Sequence, residues 1–201
     1  PSQQQLNSLL ELYQAGKYTE AERLSVSITE EFPKHQFAWK VLAAALKQIG
    51  KISESLIASQ KSVELGPLDA EAHSNLGVTL KELGRLDESE ASFRQAITLK
   101  PNYAEAYYNL GVLLKELRKL DEAETSYRQA ITLKPNYAEA HSNLGNTLKQ
   151  QGRLNEAETS YRKAIELKPD YAEAHSNLGN TLKEQGRLNE AETSYRKAIE
   201  L

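Results

Sequence analysis

Five asparagines recur at one phase of a 34-residue period, Asn7, Asn75, Asn109, Asn143 and Asn177, with Val41 at the remaining place. A primary amide both donates and accepts, so a row of amides one repeat apart can pair with successive peptide groups whatever side chains those carry. Each such bond contributes about 0.5–1.5 kcal/mol net, and the row would act through number. Around it stand Ser74, Ser142, Ser176 and Tyr108, then Val78, Val112, Asn146 and Asn180, then Lys81, Lys115, Lys149 and Lys183. The step from Val78 and Val112 to Asn146 and Asn180 makes this face more apolar in the middle and more polar toward the C-terminal end, with Tyr108 its aromatic anchor. The chemistry expected is non-covalent recognition of a polypeptide segment, apolar near Tyr108 and Val112 and polar beyond. The competing reading of the same asparagines is structural, with their amides solvated or bonded to the next helix.

Other chemistries find less support. Cysteine is absent, which removes thiol nucleophiles, disulfides and thiolate metal sites. His73, His141 and His175 share a phase with Trp39 and Tyr107. Equivalent neighbouring helices stand no closer than about 8–10 Å, whereas a metal needs ligand atoms near 2 Å, so these histidines are expected to pack and no metal is expected. There is no Gly-rich phosphate loop and no serine on a strand-to-helix elbow, and each carboxylate has a cap or a surface pair to account for it. Neither catalysis nor a cofactor is expected.

Charge narrows the partners further. The net charge is -3 with 26% charged residues. The cations are offset by carboxylates four residues earlier, at Glu90 and Arg94, Glu124 and Arg128, Glu158 and Arg162, and Glu192 and Arg196. A phosphate-tracking surface would leave clustered cations unopposed, so nucleic acid is not an expected partner. No apolar run approaches the roughly 20 residues that a membrane span requires. The expectation is a soluble, cytoplasmic protein; the absence of methionine points to a piece of something longer, from which a targeting segment would no longer be visible.

The elements that must position these residues follow from the period. Pro33, Pro67, Pro101, Pro135 and Pro169 mark it, giving units 2–35, 36–69, 70–103, 104–137, 138–171 and a shorter 172–201, a single array over 2–201. Each unit reads as two helices that cannot bury their apolar faces without neighbours. Asn102 with Glu105, Asn136 with Glu139, and Asp170 with Glu173 have capping-box spacing before the first helix. Thr19 with Glu22, Asp87 with Glu90, Asp121 with Glu124, Asn155 with Glu158, and Asn189 with Glu192 repeat it before the second. Gly16, Gly50, Gly84, Gly152 and Gly186 mark the turn between them, and Arg118 in the same place predicts a strained or differently closed turn. Helical geometry puts Ala72, His73, Leu76, Gly77, Leu80 and Leu83 on a core side, and Glu71, Ser74, Asn75, Val78, Lys81 and Glu82 opposite. Gly77, Gly111, Gly145 and Gly179 leave room for Phe93, Tyr127, Tyr161 and Tyr195.

Trp39, Leu42, Ala43 and Leu46, or Leu144, Gly145 and Leu148 followed by Ala157, Tyr161, Ala164 and Pro169, resemble the tetratricopeptide repeat across all six units. The resemblance implies an all-α, right-handed superhelical solenoid of antiparallel helix pairs, whose first helices line a concave groove for a protein or peptide segment. Ala174–Gly179 (AHSNLG) is similar to the arrays of O-linked N-acetylglucosamine transferases, in which the equivalent asparagines line the groove and bond the backbone of a bound peptide. Another use of such repeats, a two-lysine clamp on a terminal carboxylate, is not implied, because Glu71, Glu105, Glu139 and Glu173 stand at its positions and only Lys40 matches. Ser8, Ser55, Ser59 and Ser62 replace larger or apolar residues, so a looser first pair of repeats is expected. The rival function is a scaffold that self-associates through Tyr195, Ala198, Ile199 and Leu201 of the last helix.

Overall fold

Twelve α-helices and no strand follow the period of the sequence in a computed structural model that describes residues 1–201. The chain divides into two compact units, Pro1–Pro101 and Asn102–Leu201. The first holds α1 (Gln3–Gln14), α2 (Tyr18–Glu31), α3 (Gln36–Gln48), α4 (Ile52–Leu65), α5 (Ala70–Glu82) and α6 (Leu86–Leu99). The second holds α7 (Ala104–Glu116), α8 (Leu120–Leu133), α9 (Ala138–Gln150), α10 (Leu154–Leu167), α11 (Ala172–Glu184) and α12 (Leu188–Glu200). Within each unit a first helix packs on its own second helix and on the neighbouring first helices, and each second helix also packs on the first helix that follows it. This is the expected all-α solenoid of helix pairs.

Size complementarity holds each pair together. Phe93 and Tyr127 pack directly against Gly77 and Gly111, where an added Cβ would sit 2.8 Å from ring atoms. Ala72, Gly77 and Leu80 are buried as expected, whereas His73, Leu76 and Leu83 are only half-buried, and Ser74 and Thr79 take part in the buried set instead.

The turns form as expected and the caps do not. Gly84 and Gly152 adopt φ of 72° and 77°, the left-handed region that a glycine enters without steric cost. Arg118 adopts φ of 61° in the same place. Its turn is closed by the same bonds, Arg118 N–H to the Lys115 carbonyl and Lys119 N–H to that of Leu114, matching Gly152 to Lys149 and Arg153 to Leu148. The turn is therefore strained but not differently closed. The capping boxes expected at Asn102, Asn136 and Asp170 are absent, because α7, α9 and α11 start one residue later, after Tyr103, Tyr137 and Tyr171, none of which caps with its side chain. In the second helices Asp87, Asp121, Asn155 and Asn189 already lie inside the first turn, behind Arg85, Lys119, Arg153 and Arg187. Thr19 likewise lies inside α2, behind Lys17. Ser2 and Gln5 form the capping box of α1, and the Asp69 carboxylate accepts from the Glu71 and Ala72 amides at the start of α5.

Candidate functional site: the faces of the first helices

On α5, and in the second unit on α7, α9 and α11, the asparagine, the residue three later and the lysine three beyond that share one face. Asn109, Asn143 and Asn177 are half-buried there, and Asn75 is half-buried on α5 in the first unit. Thr147 and Thr181 donate back to the carbonyls of Asn143 and Asn177, as Thr79 does to that of Asn75. The amide of Asn143 is fixed from the preceding repeat: its Nδ2 donates to the Tyr108 hydroxyl at 3.0 Å, and Lys115 Nζ donates to its Oδ1 at 3.3 Å. These bonds engage one of its two N–H groups and one of its two oxygen lone pairs.

Tyr108 anchors an aromatic cluster. Its ring centroid lies 4.8 Å from that of Tyr137 and 6.0 Å from that of Tyr127. Burial, with the nearby Tyr171 adding to it, holds its phenol above the ordinary tyrosine value. Burial also pulls the Lys115 ammonium below the ordinary lysine range, against the opposing pull of Glu173.

The structure reassigns several side chains placed on this face by sequence. Ser74 and Ser142 are 3% and 1% exposed, so neither hydroxyl lies on the open surface. Their phase is an inter-repeat contact. Lys40 there reaches Asp69, Tyr108 stacks on Tyr137, and Ser142 lies beside Tyr171, in each case the residue that starts the next first helix. Asn146 and Asn180 are also held, since their Oδ1 atoms accept from the hydroxyls of Tyr161 and Tyr195 at 2.7 Å and 2.8 Å. Val78 and Val112 are half-buried on the face, and the Tyr127 hydroxyl in Val112's own repeat is buried with no hydrogen-bond partner. Lys149 pairs with Glu184 at 2.9 Å, and Lys183 is exposed. Lys40 is bound to both Asp69 and Glu71, at 3.1 Å and 2.7 Å, which removes it as a free carboxylate clamp.

The histidine phase has one repeated job. His73, His141 and His175 bond through Nε2 to the carbonyls of Pro67, Pro135 and Pro169, and Trp39 donates through its indole to that of Pro33. A carbonyl only accepts, so each imidazole carries its proton on Nε2. Sequence spacing alone missed a second network. Arg153 joins Glu156 to Glu124 of the preceding repeat, and Arg187 joins Glu190 to Glu158 in the same way. Burial opposes ionisation of Glu124 and Glu158, but hydrogen bonds from two arginines each outweigh it and hold both carboxyls below the ordinary value. The residue pattern was visible, with arginine or lysine directly after each turn position, but its partner 29 residues earlier required the stacking.

No helix is long and apolar enough to cross a membrane. No curated protein shows significant similarity to the chain. Among solved structures it is similar to MamA, at 26% identity over 79% of this chain and 93% of that one, with a TM-score of 0.73. It is also similar to YrrB, described as a TPR protein with an unusual peptide-binding site, at 24% identity over 88% and 91% and a TM-score of 0.70. PilF of Pseudomonas aeruginosa shares the fold at 21% identity over 82% of this chain and 75% of that one, with a TM-score of 0.77. The family pattern described as TPR repeat matches residues 79–118, 114–152 and 145–186, and that of the tetratricopeptide repeat matches 172–201. With the period, the paired helices and the glycine-on-ring packing, these matches show that the chain belongs to the tetratricopeptide repeat family, whose members bind protein and peptide partners.

Proposed function

We propose that the six repeats, as one array over 2–201, hold a peptide or protein segment along a groove formed by their first helices, with no catalysis of their own. The observation that carries this reading is the amide row. Asn109, Asn143 and Asn177 stand half-buried at one phase of successive packed helices, and Asn143 is oriented by Tyr108 and Lys115 while keeping capacity for further bonds. Asn75 extends the row, Val78 and Val112 give it apolar stretches, and Lys81, Lys115, Lys149 and Lys183 border it. Tyr108 is the aromatic contact for an apolar residue of the ligand, and Tyr108→Ala is expected to weaken binding. In this reading Asn146 and Asn180 act by holding the hydroxyls of Tyr161 and Tyr195, and Ser74 lies buried beneath the face. The peptide-binding site attributed to YrrB indicates that this fold accommodates one.

The AHSNLG text at Ala174–Gly179 favours a place beside the arrays of O-linked N-acetylglucosamine transferases, in a longer cytoplasmic protein whose other part, a glycosyltransferase, carries the activity. That step rests on likeness alone. The test of the groove is a proteome-derived peptide library passed over the wild type and over a variant with Asn75, Asn109, Asn143 and Asn177 changed to alanine. Peptides retained by the wild type alone support it.

A second reading has its own observation. Leu188, Ile199 and Leu201 are 63%, 85% and 49% exposed, an apolar surface suited to stacking on another copy. Sedimentation that rises in mass with concentration, and no longer does so for Ile199→Glu, supports self-association; a monomer at millimolar concentration contradicts it.

A further inference from the structure

In the third to sixth repeats a ring of the second helix, Phe93, Tyr127, Tyr161 or Tyr195, fills the space above a glycine of the first helix. In the first repeat the same two positions hold Ser25 and Leu9, and Leu9 is fully buried. Each of these repeats thus supplies one large side chain to the place. The second repeat supplies none, because its two positions hold Ser59 and Ala43, and Ala44 stands where Val78, Val112, Asn146 and Asn180 stand later.

The missing volume is visible as a hollow of about 220 Å³. Ala43, Ala44 and Ser59 line it at the place of the absent ring, with Tyr13, Phe37 and Thr79 around them. It borders α1, α3 and α5, and Asn75 of the amide row stands on its wall. Ser59 is 2% exposed, and its hydroxyl has no hydrogen-bond partner. Ser25, its counterpart in the first repeat, is buried and unpartnered as well, but Ser59 alone of the two lines a hollow. Lys40, also on the wall, is engaged by Asp69 and Glu71, and Lys47 and Glu71 lie on the wall with it, so charged groups of both signs border the apolar part made by Ala43, Ala44, Phe37 and Tyr13. An apolar cavity of roughly 150 Å³ is enough for a benzene ring.

We propose that this hollow receives a phenylalanine or tyrosine side chain of the bound segment, so that the ligand supplies the ring that the second repeat lacks. The proposal rests on the groove reading above and adds a specificity to it: an aromatic residue where the segment passes α3, with Ser59 Oγ placed to meet a phenol. Its walls are completed by the protein's own precedents, a ring over glycine or a leucine beside serine.

Those precedents also give two ways to fill it. Ala43→Leu recreates the pair of the first repeat, and Ala43→Gly with Ser59→Phe recreates that of the third. In nitrogen-15 NMR spectra of the whole chain, N-acetyl-L-phenylalanine amide should shift the Ala43, Ala44 and Ser59 signals saturably, with at least tenfold higher affinity than N-acetyl-L-alanine amide. Both filled variants, folded by circular dichroism, should lose the shifts; if one does not fold, the other decides. Equal shifts with the alanine compound, or shifts that persist in a folded filled variant, overturn the proposal. In the peptide library the wild type should enrich aromatic peptides, and the filled variants should retain peptides without that enrichment. Retained peptides with no aromatic preference overturn the aromatic pocket and leave the groove standing, whereas no retained peptide removes the groove and the pocket with it.

Discussion

Tyr127, Tyr161 and Tyr195 occupy equivalent places, yet their hydroxyls meet different fates. Asn146 and Asn180 accept from Tyr161 and Tyr195, whereas Tyr127, beside Val112, is buried and unpartnered, and burial drives its phenol far above the ordinary value. An unsatisfied buried hydroxyl costs about 1–3 kcal/mol. Tyr127→Phe should therefore raise unfolding stability in urea by about 1 kcal/mol, and Tyr161→Phe should lower it by about as much, by breaking a made bond. Equal effects of the two would refute the assignment. The sequence showed the change from valine to asparagine but not what it answers, because the partner lies 15 residues away on the other helix. His141 gives a pH signature. Burial sets its pKa below the ordinary histidine value, outweighing the bond to Pro135, which acts in the other direction. The unfolded chain then binds the proton first, so His141's contribution is present above about pH 6.5 and is lost as pH falls through the folded value. His141→Trp, which repeats the Trp39 arrangement, should lessen the loss of stability as pH falls below about 6.5, relative to wild type.

At the scale of the element, the glycine turns were legible because a left-handed backbone has a direct residue signature. Arg118 is the exception that tests this. A left-handed L-residue costs about 1–2 kcal/mol, partly offset by the freedom that glycine has when unfolded. Arg118→Gly should raise stability by about 0.5–1 kcal/mol in denaturant unfolding, and an unchanged midpoint would contradict the strain. Caps were not legible. Asn102 with Glu105 has the right spacing, but the helix begins after Tyr103, and Glu105 pairs instead with Lys134 at 3.4 Å. Capping residues and surface carboxylates look alike in sequence; which role a carboxylate takes is decided by where the helix starts and by which cation the packing brings to it, as Lys134 reaches Glu105 and Arg153 reaches Glu124. Arg187→Gln, which cuts the ion pair to Glu158 of the preceding repeat, should cost about 0.5–1 kcal/mol and less at high salt.

For the whole molecule, the 34-residue period sufficed to read the all-helical solenoid, since a stacked array repeats one local solution and neighbours alone complete it. The face of the first helices was less fully legible. Helical phase gave Asn109, Asn143 and Asn177 one position on α7, α9 and α11, but it also put Ser74 in the open, where the structure buries it. A helical wheel cannot tell an exposed face from one covered by the residue that starts the next repeat. The hollow in the second repeat lay further out of reach, because it appears only when Ala43, Ala44 and Ser59 are compared with what fills that space elsewhere. The most direct measurement is the affinity of one library-selected peptide, by isothermal titration calorimetry, for the wild type and for the fourfold asparagine-to-alanine variant, both helical by circular dichroism. Four lost bonds of about 0.5–1.5 kcal/mol each predict a loss of affinity of at least 30-fold. An affinity unchanged within twofold would show that the amide row does not hold the ligand.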